Sequence, residues 1–170
     1  MSFERDERYM EYALHQAQKA YESDEVPVGA IVVHSEEILA AAHDAKEATG
    51  DPTAHAELLA LRQAAQAMGS WRLDGCELYV TLEPCPMCVG AMLQARISRL
   101  IYGARNSRWG AIESVCSLHN VPQFNHRIQV RGGVREEACA DLLQCYFRLK
   151  RQSGEKSVEV RNRVDERGTR

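Results

Sequence analysis

Short runs rich in β-branched and aromatic residues alternate along this chain with longer stretches of helical periodicity, and that alternation constrains the fold more than any other feature. Residues 77–81 (ELYVT) and 98–102 have strand composition, and each follows a stretch of helix formers, residues 55–68 and 85–95. Upstream, residues 30–34 and 37–42 flank the polar pair Ser35-Glu36, the pattern of a hairpin, and residues 128–130 form a candidate last strand. Two more helices are expected. Over residues 4–23, Tyr9, Met10, Ala13, Leu14, Ala17 and Tyr21 recur every three or four positions, and residues 136–149 repeat the pattern with Ala138, Leu142, Leu143, Tyr146 and Phe147. Strands separated by helices bury both faces of one sheet. The expected fold is α/β: a three-layer α/β/α sandwich with a central, mixed, roughly five-stranded sheet, mixed because the opening hairpin is antiparallel. Residues 103–125 show no clear period and are expected as loop with short helical turns.

The chain of 170 residues is about one domain's worth. Its longest apolar runs, residues 29–33 and 38–42, are far too short to span a bilayer, so no membrane association is expected. The opening MSFERDERYM has no apolar stretch and is not expected to be a secretory signal. A cytoplasmic chain keeps its thiols reduced, and clustered cysteines then point to metal or catalytic roles. Of the cysteines at 76, 85, 88, 116, 139 and 145, only Cys85 and Cys88 are clustered; the other four are expected as small buried or half-buried hydrophobes. Charge is unevenly spread. From position 148 onward eight basic residues face four acidic ones, about +4, so the net charge of −3 leaves about −7 on the rest. Residues 152–170 lack apolar periodicity and are expected to be a basic, flexible tail on a domain of residues 1–151. A basic end suits a polyanion partner and plain solubility alike.

Two segments carry chemistry: His55-Ala56-Glu57 and Pro84-Cys85-Pro86-Met87-Cys88, each opening an expected helix. Cys-x-x-Cys at a helix start brings both sulfurs to one side of the first turn, where the positive helix end favours thiolates. Two thiolates and an imidazole suit Zn²⁺, one ion per subunit, and three protein ligands leave the fourth tetrahedral position to water. Glu57 is close enough to reach that water without ligating the metal, which makes it the expected catalytic proton carrier. Such a site attacks an electron-poor carbon bearing an amine, and ammonia departs. Other readings stay open. A lone Cys-x-x-Cys also serves as a redox pair. A structural zinc site would recruit a fourth ligand, for which Cys76, Cys116, His43 and His119 are the candidates by type. A zinc-stabilised, non-catalytic RNA-binding or dimer-partner subunit would have no use for Glu57.

At these residues the chain resembles the cytidine/deoxycytidylate deaminase superfamily and, within it, the bacterial tRNA-specific adenosine deaminases, whose signature is H-x-E with a later P-C-x-x-C. The likeness runs from the first helix to about residue 151. It is most specific at residues 25–30 (EVPVGA), 51–57 (DPTAHAE) and 79–85 (YVTLEPC), with Gly90-Ala91-Met92 and Asn125-His126-Arg127 adding to it. The resemblance implies a cytidine deaminase-like fold and a homodimer that converts adenosine to inosine at the wobble position of a tRNA anticodon loop. It implies His55, Cys85 and Cys88 as metal ligands and Glu57 as proton shuttle. Val28, Leu82 and the backbone near Ala54 would line the base pocket. Asn106 and Arg108 would lie on a loop touching the anticodon strand, and Phe147 and Arg151 would contact RNA from the last helix. Splayed bases are held by stacking on aromatic and guanidinium planes, although plain helix core is the other reading of Phe147.

Two residues depart from the family pattern. The family usually has asparagine where this chain has Asp44. An amide both donates and accepts hydrogen bonds, whereas an ionised carboxylate only accepts, so Asp44 meets the ring nitrogens of adenine poorly. Guanine, with N–H donors, would suit it, which makes a free purine base or nucleoside the alternative substrate. Asn106 stands where aspartate is common, and the lost negative charge would ease the approach of a nucleic-acid backbone and would let DNA compete with RNA.

Overall fold

The computed structural model describes residues 2–165, with side chains through Gly154. Helix α1 (Phe3–Glu22) leads into the hairpin β1 (Gly29–His34) and β2 (Glu37–His43). The short α2 (Lys46–Thr49) and then α3 (Ala56–Met68) follow, with β3 (Glu77–Leu82), α4 (Pro86–Ala95) and β4 (Arg99–Ala104) after them. A long connection with one 3₁₀ turn, Leu118–Asn120, leads to β5 (Gln129–Arg131), and α5 (Glu136–Asp165) closes the described chain.

The five strands form one sheet in the order β2-β1-β3-β4-β5. β1 pairs antiparallel with β2 and with β3, while β3–β4 and β4–β5 are parallel, so the sheet is mixed as expected. Period-two alternation divides the core. Ile31, Val33, Tyr79 and Ile101 meet Tyr9, Met10 and Ala13 of α1 and Cys139 of α5 on one face. Val32, Leu78, Val80 and Leu100 meet Ala60 and Ala64 of α3 and Val89 and Met92 of α4 on the other. Both faces are covered, which is why β1, β3 and β4 read as nearly continuous apolar runs.

Local chemistry sets the joints. Ser35 and Glu36 both take positive φ, 49° and 69°, the twist that a two-residue hairpin needs. Gly29 lies so close to α1 that a Cβ there would sit 2.1 Å from the Ala13 carbonyl oxygen, so no larger residue fits. At the sheet end where β3 and β4 begin, buried Asp6 of α1 accepts hydrogen bonds from Tyr79 (2.9 Å), Arg99 (3.1 Å) and Arg131 (2.6 Å). That network ties α1 to three strands and leaves the opposite end of β3 for the site.

The structure adds three things to the sequence reading. Helix α2 is too short to show a period; it forms because buried Glu25 accepts hydrogen bonds from the N–H groups of Glu47 (3.2 Å) and Ala48 (2.7 Å) at its start. Helix α5 runs to Asp165, well past the expected end at residue 149, and residues 166–170 of the expected tail lie outside the described residues. Among the unclustered cysteines, Cys76 and Cys139 are buried and Cys145 is half-buried, but Cys116 is exposed on the long connection, contrary to expectation.

Candidate active site

His55 and Cys85 occupy equivalent places. Each is the N-cap of its helix, α3 and α4, with extended backbone (φ −77° in both), and neither side chain caps its own helix. Both are therefore free to turn toward each other across the end of β3. Pro86 opens α4 in the one helical position where a missing N–H costs nothing, and Cys88 follows one turn on from Cys85. The outcome is a convergence of three ligand atoms. Cys85 Sγ lies 3.7 Å from His55 Nδ1, Cys88 Sγ lies 3.5 Å from it, and the two sulfurs are 3.7 Å apart.

A tetrahedral Zn²⁺ with bonds of about 2.3 Å to sulfur and about 2.05 Å to nitrogen separates its ligands by about 3.8 Å (S···S) and about 3.6 Å (S···N). The observed separations fit three corners of such a tetrahedron. Among the described residues, His55, Cys85 and Cys88 are the single group of three potential ligands within 4.8 Å of one another. Cys76, Cys116, His43 and His119, the candidates for a fourth ligand, are not part of it. His43 Nδ1 is instead 2.9 Å from the Asp44 carbonyl oxygen, and the Cys76 thiol donates to Met68 at 3.5 Å. The hydrogen bond from Cys88 and the neighbouring imidazole hold the Cys85 thiol down to about 4, while the same bond and burial push the Cys88 thiol up, so without a metal the pair carries one thiolate, on Cys85.

The cluster opens on a cavity of about 430 Å³. Val26, Val28 and Leu82 make its apolar wall, and His55, Glu57 and Cys85 line the ligand end. Glu57 is 4% exposed, and burial, reinforced by the charge of Asp44, pushes its carboxyl up to about 7. Asp44 also lines the cavity and is 3% exposed; burial raises its carboxyl. One of its oxygens accepts the Ala56 N–H at 2.9 Å and the other lies 3.5 Å from the Lys46 ammonium. Asn106 and Trp109 form the mouth.

A family model described as MafB19-like deaminase matches residues 4–151. The tRNA-specific adenosine deaminase of Bacillus subtilis is 44% identical over 143 residues, 84% of this chain and 89% of that protein. The chain belongs to this deaminase family. A structure solved in a study of A-to-I editing by tRNA:A34 deaminases at the wobble position of transfer RNA superposes with a TM-score of 0.78 at 43% identity, covering 80% of this chain and 99% of that one. The X-ray structure of guanine deaminase from Bacillus subtilis gives 0.57 at 36% identity, over 59% of this chain and 65% of that one.

The residues singled out in the deaminase from its sequence divide between two adjoining cavities. His55, Glu57, Cys85, Val28, Asp44, Leu82 and Asn106 line the inner one, with Cys88 buried behind it. Arg108, Phe147 and Arg151 line a neighbouring groove of about 810 Å³. Phe147 is 44% exposed, edge-on to Tyr146 at 5.4 Å, which removes the helix-core reading. Ala54 is buried and lines neither; its carbonyl accepts the Ala45 N–H at 3.0 Å.

Sequence reasoning missed Lys46, Trp109, Glu25 and Glu83. Glu83 is buried, and its carboxylate accepts N–H bonds from Asn106 (3.1 Å), Ile112 (3.2 Å), Glu113 (2.8 Å) and Ser114 (2.9 Å), shaping the loop at the cavity mouth. The available signal was a lone carboxylate inside an otherwise apolar motif, Glu25 before Val26-Pro27-Val28 and Glu83 after Thr81-Leu82.

Proposed function

We propose that this deaminase hydrolyses adenosine to inosine at the wobble position of a tRNA anticodon, with Glu57 as the catalytic proton carrier and one Zn²⁺ per subunit on His55, Cys85 and Cys88. The convergence of one imidazole and two sulfurs beside a buried carboxylate carries this reading. When bound, zinc supplies Lewis acidity that makes water a nucleophile near neutral pH. Val28 and Leu82 hold the purine, and the apolar wall they form with Val26 excludes bulk water. Glu57 takes one proton of the attacking water and passes it to the ring nitrogen beside C6, then takes the remaining proton from the new C6 hydroxyl and gives it to the amine. The new C6–O bond forms, the C6–N bond breaks, and ammonia leaves. The outer groove, with Arg108, Phe147 and Arg151, suits the anticodon strand.

A second reading, a free purine such as guanine as substrate, is favoured by Asp44, because an acceptor-only carboxylate in the cavity suits guanine's N–H donors. Incubation of the purified protein with an anticodon stem–loop and, separately, with free guanine and adenine distinguishes them. Inosine in the RNA with ammonia in equal amount is expected; ammonia from the free purines alone would overturn the leading substrate.

Homodimer formation is supported by a shallow apolar hollow between α3 and α4 that includes Leu58, Leu61, Ala91 and Ala95, beside exposed Trp71. Residues 1–151 are taken as the catalytic domain and 152–170 as its basic extension. No helix among the described residues is long and apolar enough to cross a membrane, and a tRNA substrate with unpaired thiols fits a cytoplasmic setting.

A further inference from the structure

Trp109 is 66% exposed, although an indole has on the order of 200 Å² to bury. It stands where the two cavities meet: Val26, Lys46, Leu82, Asn106 and Trp109 line both. One wall of the outer groove is a single face of α5, with Leu143, Phe147 and Arg151 at four-residue spacing. The other wall is the loop that carries Trp109. Arg105, Arg108, Arg148 and Arg151 line this groove, and no carboxylate is among the described residues that do. An aromatic surface between guanidinium groups matches one chemistry well, a single strand whose phosphates repeat between flat, apolar bases.

The loop beneath the indole is fixed before any ligand arrives. The Asn106 side-chain oxygen accepts the N–H groups of Arg108 (3.3 Å) and Trp109 (3.1 Å), and the Asn106 carbonyl accepts that of Gly110 (2.8 Å). Asn106 is itself held by buried Glu83. A Cβ at Gly110 would lie 2.5 Å from that carboxylate and 2.6 Å from the Asn106 carbonyl oxygen, so only glycine fits there. A platform held this way loses little conformational freedom on binding.

We propose that Trp109 is the stacking platform for an unpaired base adjacent to the target nucleotide. This rests on the RNA-directed reading above and adds a residue that selects strand over free base. Stacking accepts any base, so the platform secures a single strand without reading its sequence. Free purines, having no neighbour to stack, gain nothing from it.

Trp71 and Trp109 are the two tryptophans of the chain, and Trp71 lies in the hollow between α3 and α4. The full-length Trp71→Phe protein therefore has one indole, at the groove. Titration with a short single-stranded RNA of anticodon-loop sequence is expected to quench its fluorescence to saturation. Trp109→Ala is expected to raise Kd and KM for that RNA by roughly 5- to 150-fold with kcat unchanged, and Trp109→Tyr to restore most of the loss. RNA turnover without quenching, an unchanged KM in Trp109→Ala, or a loss confined to kcat would each overturn the platform. Quenching by RNA that is never deaminated would instead remove the tRNA reading and leave the platform standing.

Discussion

At the scale of single residues, the site assigns different duties to two buried carboxylates. Burial and the charge of Asp44 raise the Glu57 carboxyl although its own backbone N–H donates to it, whereas Asp44 is tied to the Ala56 N–H and to Lys46. Glu57→Gln is expected to keep the fold and about one zinc per chain while lowering kcat by at least about 10²–10⁴-fold. Metal analysis beside a steady-state assay checks this, and full activity in that variant would show the proton carrier to be elsewhere. Asp44→Asn keeps an oxygen for the Ala56 N–H and adds an amide donor for the ring nitrogens of adenine. It is expected to raise kcat/KM on adenosine-containing RNA by about five- to tenfold, the worth of one hydrogen bond, and to lower any turnover of guanine. A change in the opposite direction would favour the free-purine reading.

At the scale of elements, Glu83 joins the end of β3 to the loop that forms the cavity mouth. Glu83→Ala would leave the N–H groups of Asn106, Ile112, Glu113 and Ser114 without their acceptor. A loss of about 2–4 kcal/mol in unfolding free energy is expected, together with protease cleavage within residues 106–114. Urea denaturation and limited proteolysis measure the two; an intact loop in that variant would mean that it is held from elsewhere. This device was hidden in the sequence. Strands β1, β3 and β4 were legible as short apolar runs rich in β-branched and aromatic residues, because both of their faces are buried, and the main helices from their period. The loop has no period, since a single carboxylate organises it from one point.

At the scale of the whole molecule, Asp6 fastens α1 to three strands and Glu83 fastens the mouth to the sheet. Burial alone would raise both carboxyls. Hydrogen bonds from Tyr79 and Arg99 hold Asp6 below the ordinary carboxylate range all the same, and Ser114 with backbone N–H groups does so for Glu83. Groups held low in the folded state stabilise it fully above their unfolded values, about 4, and lose that contribution as pH falls through the folded ones. The urea midpoint is expected to drop as pH falls below about 4, where these two carboxylates take up protons. Asp6→Asn should be about 2–4 kcal/mol less stable at neutral pH and show a shallower acid drop. An equal drop in variant and parent would mean that Asp6 does not drive it. If the α3–α4 hollow is where subunits meet, Ala91→Glu is expected to turn a dimer into a monomer in sedimentation experiments.

The sequence by itself determined the alternation of helix and strand, the two faces of the sheet and the identity of the chemical groups, because burial period and residue type are local properties. It also located His55 and Cys85 at helix starts, where a cap residue and a proline interrupt the pattern. Only the tertiary structure decided that those two starts face each other at ligand spacing, that Phe147 looks onto a groove, and that Lys46 and Trp109 border the cavity. Such facts depend on the angles and distances at which separate elements pack, and these are set by contacts between residues far apart in the chain.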